Sequence, residues 1–587
     1  MNQKIKLIPL LLFSAFATQA AEDVKVMQYL HAGPITVNKP ILTDSLNVDG
    51  KPFEAKNLVK STIPFGHALG NAAVIDADTA GLITVPTPEK GYALHLYSFY
   101  LNSDRYTKGS LEVSGAGTFE VFVNNKPVGA TSELALEPHR YEVVIKYLTA
   151  DTDTCPSTLT AKFKSEEEAK VIASLDPEKR YTPRDILEGT QFRGTSVSPD
   201  GKYVLVKYYT RMEGGKSEQY AQLRDAATGR ILLQDKGFIL TADWMPTSSK
   251  MYFTRTGMNG KELVTVDPAT MQEEILAENL PEGSFSFTPD EKTLLYTIQE
   301  EGPKDGPDML RILEPNDRLP GFRNRYFIWR YDLQTGLYEQ LTYGHNNTFV
   351  NDVSADSRYL LFSTSEQDYT SLPHSSNSMY KLDLQSMAVD TLWERAKYIN
   401  GATFSPDGKQ LMVFGSGNAF DNIGLNIKEG QISNTYDGQL FLYDPATRKA
   451  KALTKDFNPN VTSAQWNKFD GQIYMLTEDQ DYQRVYTCNP ANGKIRRLDL
   501  PEDVIYNYSL AEAAPVMYYY GQSVSNANRL YSYNTKSKKT QLIYDLSADK
   551  LKDIQFGEVH DWNFQAAAGD TIYGRYYLPP HFDANKK

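Results

Sequence analysis

The stretch SVSPDGKYVLVKY at 196–208 decides the fold, because it recurs. Related segments are ADWMPTSSKMYFT at 242–254, FSFTPDEKTLLYT at 285–297, NDVSADSRYLLFS at 351–363, ATFSPDGKQLMVF at 402–414, AQWNKFDGQIYML at 464–476 and the degraded YSLAEAAPVMYYY at 508–520. Proline presets φ for a turn, and Asp-Gly accepts the positive φ of a tight hairpin. The run that follows, such as Tyr203 to Val206, is apolar on both faces, as a strand held between neighbouring sheets must be.

A second kind of segment alternates with the first. It appears as LRDAATGRILL at 223–233, VDPATMQEEIL at 266–276, YDLQTGLYEQLT at 331–342, LDLQSMAVDTL at 382–392, YDPATRKAKALT at 443–454, CNPANGKIRRL at 488–498 and YNTKSKKTQLI at 533–543. Each reads as strand, polar turn, strand. One segment of each kind makes two hairpins, and four-stranded units in tandem at roughly 40–50 residues are the signature of a β-propeller. The seven pairs predict a seven-bladed β-propeller over 182–556, with insertions near 300–326 and 415–438. An eighth blade would have to come from the second insertion.

Outward from the repeat, 26–164 is strand-rich without repetition. Alternation in Leu111–Val113, Phe119–Val123 and Tyr141–Tyr147 predicts a β-sandwich, and TFEVFVNNKPVG at 118–129 resembles the jelly-roll modules of secreted glycan-active enzymes. Residues 165–181, rich in Glu and Lys, read as a linker, and Pro183 to Leu187 as a short helix. The expected fold class is all-β, an N-terminal sandwich followed by a propeller, and 38 tyrosines with 12% aromatic residues suit it. Residues 557–587 follow the last repeat and hold a hairpin around Gly569-Asp570 with a strand from Thr571 to Leu578.

Residues 1–20 have the form of a cleaved export signal: Lys4 and Lys6, a short apolar run from Leu7 to Ala17, and small residues ending at Ala20. A periplasmic or extracellular location is expected, with no membrane association, since no apolar run approaches the eighteen or so residues of a membrane helix. A formal net charge of −12 argues against nucleic acid. Cys155 and Cys488 make neither a disulfide framework nor a zinc site, and a bridge between them is not expected. No metal spacing appears among His, Asp and Glu, and no cofactor is expected.

The lead-in YTPRDILEGTQFRGTSVSPDGKYV, the repeats and the exit AAAGDTIYGRYYLPPHF together resemble the prolyl oligopeptidase group of serine peptidases. The secreted dipeptidyl-peptidase-IV-like members are the nearest in pattern, and the resemblance covers about 181–587. In that group the exit strand leads into an α/β-hydrolase domain bearing the catalytic Ser, Asp and His. The G-x-S-x-G elbow of such a domain occurs nowhere in the sequence. The resemblance therefore implies the non-catalytic propeller portion of a peptidase, a gate for short peptide substrates once joined to a hydrolase domain, with no catalytic residue of its own.

Dipeptidyl peptidases hold the substrate amine with paired glutamates, and the adjacent pair Glu300-Glu301 is the candidate here, although it follows a repeat strand where the family motif precedes one. Arg311, Asp317, Arg318, Arg323 and Arg325 of the same insertion either line a tunnel mouth or form a self-paired, solvated loop, and the second reading is favoured. His560-Asp561 beside Trp562 resembles a triad fragment, but neighbours in a strand point to opposite faces. The competing readings are a stand-alone periplasmic propeller serving as a protein-interaction scaffold, and glycan binding through the N-terminal sandwich, suggested by TFEVFVNNKPVG at 118–129.

Overall fold

Each repeat folds as the same four-stranded meander, and the chemistry of its first turn shows why the motif recurs. The Ser198 hydroxyl donates to Asp200 at 2.7 Å and accepts the Tyr203 N–H at 3.0 Å. Ser405 does the same with Asp407 and Gln410 at 2.7 and 3.0 Å. Thr288 repeats it with Asp290 and Thr293 at 2.6 and 3.2 Å. These hydroxyls are buried, so the bonds satisfy groups that would otherwise be stranded away from water. The Ser405 hydroxyl draws the Asp407 carboxyl below the usual carboxylate range, and the Lys409 N–H adds to this.

In this computed structural model, residues 23–585 are described except 104, 154–155, 166–170, 176–182, 304–305, 307–308, 310, 320, 553 and 581. The export signal over 1–20, Cys155 and much of the 165–181 linker lie outside the described residues. The chain divides into two units, Met1–Ile186 and Leu187–Lys587. Among the described residues no helix is long and apolar enough to cross a membrane.

The second unit holds five four-stranded sheets, one eight-stranded sheet and one two-stranded sheet, with antiparallel neighbours in chain order but for a single parallel bridge. The eight-stranded sheet is two meanders, 460–497 and 504–545, joined through one parallel bridge, Gln483 to Val504. The earlier meanders occupy 189–235, 243–277, 284–340, 348–396 and 399–452. Consecutive meanders share apolar seams. Leu205 and Leu223 of the first pack with Met251 and Val264 of the second, and Leu361 and Met379 of the fourth with Leu411 and Phe441 of the fifth. The series returns on itself, since Phe192, Val206 and Tyr208 of the first meander pack with Tyr518, Tyr520 and Leu530 of the last. The result is a β-propeller. No strand forms in 417–437, which is a series of turns, the one at Ala419–Asn422 with left-handed backbone at Phe420 and Asp421.

In the first unit, the strands Asp23–Lys25, Ser157–Ser165, Thr107–Gly115 and Thr131–Leu136 pair in that order, with Leu82–Val85 added to Ser157–Ser165. The facing sheet centres on Tyr92–Ser103 and Arg140–Ala150. Tyr97, Phe99, Ile145 and Tyr147 of this sheet meet Leu111, Leu159 and Phe163 of the other to form the sandwich core. The back of the second sheet is also covered, by Leu58 and Val59 over Leu94 and Leu148. Two strands lie beyond the expected 26–164 bounds. Asp23–Lys25 pairs with Ser157–Ser165, and Val171–Ser174, read from sequence as linker, pairs with Tyr92–Ser103. Val171 is buried; burying that short apolar run outweighs the Glu- and Lys-rich composition around it.

Candidate functional site

Strands alternate direction within a meander, so the loops joining second to third strands share one face with the connections between meanders. That face carries both long insertions, the 368–374 loop and the hairpin that follows the last meander. Glu300 ends the strand Thr293–Glu300 and stands opposite Arg325 in register. Glu300 and Glu301 are both exposed, at the root of the insertion.

The described residues from 313 to 325 bond mostly among themselves. Asp317 accepts from Arg323 at 2.7 Å and from the Leu313 and Glu314 N–H groups at 2.7 and 3.1 Å. The Arg323 guanidinium, with these backbone donors, holds the carboxyl at about 2. Arg325 donates to the carbonyls of His345, Phe322 and Asn324. Asp317, Arg323 and Arg325 are thus committed to bonds that shape the loop.

The hairpin pairs Glu558–Gln565 with Thr571–Leu578 and forms a two-stranded sheet of its own. Period-two alternation gives it two faces, with exposed rings on both, Tyr573 and Tyr577 standing on the Arg575 side. One holds Asp561 and Arg575. Arg575 donates to Asp503 at 3.0 Å, pairs with Asp481, lies 3.6 Å from Asp561 and stacks over the Tyr482 ring at 4.4 Å from the ring centroid. The Arg484 guanidinium lies 3.7 Å from the same ring centroid, and the Tyr482 hydroxyl donates to Asp561 at 2.8 Å. Arg575 is only 11% exposed, so this cluster is a charged latch fixing the hairpin to the last two meanders.

The opposite face presents Trp562, Phe564, Ile572 and Tyr576, each more than two-fifths exposed. Trp562 and Phe564 stack at 5.2 Å. Gly574 is required beneath them, because a Cβ there would stand 2.8 Å from the indole nitrogen. His560 stacks on Tyr576 and its Nε2 lies 3.0 Å from Glu558. As strand alternation predicts, His560 and Asp561 have separate partners.

The arrangement can recruit a further element: unpaired strand edges beside an open aromatic face favour strand addition and apolar burial. Sequence reading located the strand Thr571–Leu578 but not the latch, whose members Asp481, Tyr482, Asp503 and Arg575 come from separate segments with no shared spacing. The nearest local signal was the aromatic run around Arg575, which marks a surface and not a partner. Among the described residues no group of three or more His, Cys, Asp or Glu side chains could hold a metal ion.

No characterised protein matches the chain by sequence. The family described as SMP-30/Gluconolactonase/LRE-like region matches residues 241–531, which lie within the propeller. Among solved structures, an acylaminoacyl peptidase in complex with Z-Gly-Gly-Phe-chloromethyl ketone is similar with a TM-score of 0.50 at 13% identity, over 69% of this chain and 60% of that one. Pyrococcus horikoshii acylaminoacyl peptidase gives 0.49 at 13% identity, over 68% and 59%. The β-propeller domain of the Trilobed protease from Pyrococcus furiosus gives 0.41 at 12% identity, over 61% and 96%. The chain therefore spans about 60% of the length of the acylaminoacyl peptidases it matches. At these identities the likeness is one of fold, and the second unit is a β-propeller similar to those of such peptidases.

Proposed function

We propose that this chain is the non-catalytic propeller portion of a secreted serine peptidase of the prolyl oligopeptidase group, in which the seven meanders form a seven-bladed gate admitting short peptides to a hydrolase domain. The observation that carries this reading is the Glu558–Leu578 hairpin. It is latched by Arg575 on one face and open along an aromatic face on the other, the arrangement expected of a strand pair onto which another domain builds. The GDTIYGRYYLPP sequence at 569–580 and the propeller fold add support.

Two measurements test it. The coding DNA past Lys587 is expected to continue, in frame or shifted, into a segment with G-x-S-x-G, and unrelated sequence there would sink the proposal. Incubated alone with Xaa-Pro chromogenic substrates, this chain is expected to release no chromophore, because it contains no G-x-S-x-G elbow. Turnover by the purified chain would refute the assignment of catalysis to another domain.

A further inference from the structure

Between the fifth and sixth meanders, on the face that carries the insertions, lies a cavity of about 290 Å³. Tyr398, Asn400, Phe414, Ser416, Tyr436 and Asp437 line it, and no Lys, Arg or His does. Two of its polar groups are unspent. The Ser416 hydroxyl is buried and has no hydrogen-bond partner; Ser416 itself is 6% exposed, and its N–H is engaged by the Tyr398 carbonyl at 2.9 Å. Asp437 is a partly exposed residue, and none of the hydrogen bonds or ion pairs among the described residues involves its carboxylate. Burying the unpaired Ser416 hydroxyl is costly unless a ligand supplies its partner, and the Asp437 carboxylate beside it is open to a cation.

The backbone points the same way. Tyr398 has φ of +64°, a left-handed conformation that a bulky side chain adopts only under constraint and that clusters at binding sites. Gly438 lets the chain pack tightly behind the cavity, because a Cβ there would stand 2.1 Å from the Val461 carbonyl and 2.8 Å from the Phe414 ring. One carboxylate, the Ser416 hydroxyl and three aromatic rings, with the neutral oxygens of Asn400, Thr435, Asn460 and Thr462, give a divalent ion only one charged ligand. They match an organic cation, whose charge meets the carboxylate while its stem and N–H groups meet ring faces and hydroxyl.

We propose that this cavity binds a primary alkylammonium group, with Asp437 as counter-ion, Ser416 as hydrogen-bond acceptor and Tyr398 and Tyr436 as ring walls. The cation is supplied either by a lysine side chain of a bound peptide or by a free polyamine. The site lies within the chain's own propeller and does not rest on the peptidase reading, so a failed titration here leaves the hairpin argument intact.

The test is calorimetric titration of the full chain with Nα-acetyl-lysine methylamide, its uncharged counterpart Nα-acetyl-norleucine methylamide, and 1,4-diaminobutane. The expected result is saturable binding of at least one amine, at least tenfold tighter than the norleucine compound. Tighter binding of the lysine derivative assigns the side chain as source, and tighter binding of the diamine assigns a polyamine. Asp437→Asn is expected to abolish the preference for charge. Tyr436→Ala, a change at a residue 93% exposed and so without cost to folding, is expected to weaken amine binding severalfold. Equal affinity for charged and neutral probes, no saturable binding at millimolar concentration, or an unchanged preference in a folded Asp437→Asn protein would overturn the proposal.

Discussion

Single residues are where burial and ionisation compete, and the sandwich holds the clearest case. His31 Nε2 lies 3.0 Å from His95 Nδ1, the two rings stack at 5.3 Å, and His95 Nε2 reaches Thr149 at 3.2 Å. Burial first, and the neighbouring His31 second, push His95 down to about 4; burial likewise lowers His31. Both are therefore neutral in the native state near pH 7, whereas an unfolded histidine gains its proton near 6.5. Below that pH the unfolded chain binds more protons, so stability is complete above about 6.5 and is lost as pH falls towards about 4. For His95 the loss is on the order of 3 kcal/mol. The protection factors of the Tyr92–Ser103 strand, that is exchange rates referred to the intrinsic rate at each pH, are expected to fall between pH 7 and pH 5, and His95→Gln is expected to flatten that dependence. An equal response in the two proteins would disprove the assignment.

At the scale of the element, glycine and the residues that replace it at the repeated turn separate strain from packing. Gly201 and Gly408 hold φ of +74° and +71° in equivalent turns. A Cβ on Gly201 would stand 2.6 Å from Ala514, whereas around Gly408 nothing lies within 4 Å. Gly408→Ala should therefore cost only left-handed strain, about 1–2 kcal/mol, and Gly201→Ala about 1–3 kcal/mol more through overpacking. Denaturant titration of the pair decides it, and equal costs would show that the seam yields.

Where the motif lacks glycine, the positive-φ residue has a second task. Ser249 accepts the Asp200 N–H at 3.1 Å, Glu291 accepts Thr247 and Ser248 N–H groups at 2.7 and 2.6 Å, and Ser357 accepts Asp290 N–H at 2.8 Å. Each bond ties the turn of one meander to the next, which offsets the strain. The hairpin latch belongs to this scale too. Arg575→Leu is expected to remove about 2 kcal/mol of hairpin docking and to speed exchange across 558–578 while leaving the meanders protected. Unchanged exchange there would mean that the latch does not hold the hairpin.

For the propeller as a whole, the decisive feature is how the ring closes. The first meander is drawn entirely from 189–235 and the last from 504–545, so no strand is exchanged between them. Closure rests on the shared apolar seam, on the Val197 N–H donated to Ser509 at 2.9 Å, and on the Tyr518 hydroxyl donated to the Ala226 carbonyl at 2.9 Å. Ser509→Ala with Tyr518→Phe is expected to cost about 2 kcal/mol, with early exchange confined to 189–197 and 504–510. Uniform loss of protection would show instead that the propeller unfolds as one cooperative unit.

The recurring Ser-Pro-Asp-Gly turn and the apolar runs after it already determine the strands, their pairing within a meander and the sites of both insertions, because each depends on residues a few positions apart. The strand Thr571–Leu578 was legible for the same reason. Glu300 and Glu301 could be named from the sequence, but not that Arg325 stands opposite Glu300 in register, and the Val171–Ser174 strand was hidden by the charged residues around it. Only the tertiary structure decided that Arg575 meets Asp481 and Asp503, and that Ser416 and Asp437 face one cavity. Those groups are separated along the chain, and the burial that gives them their chemistry exists only once the meanders stand side by side.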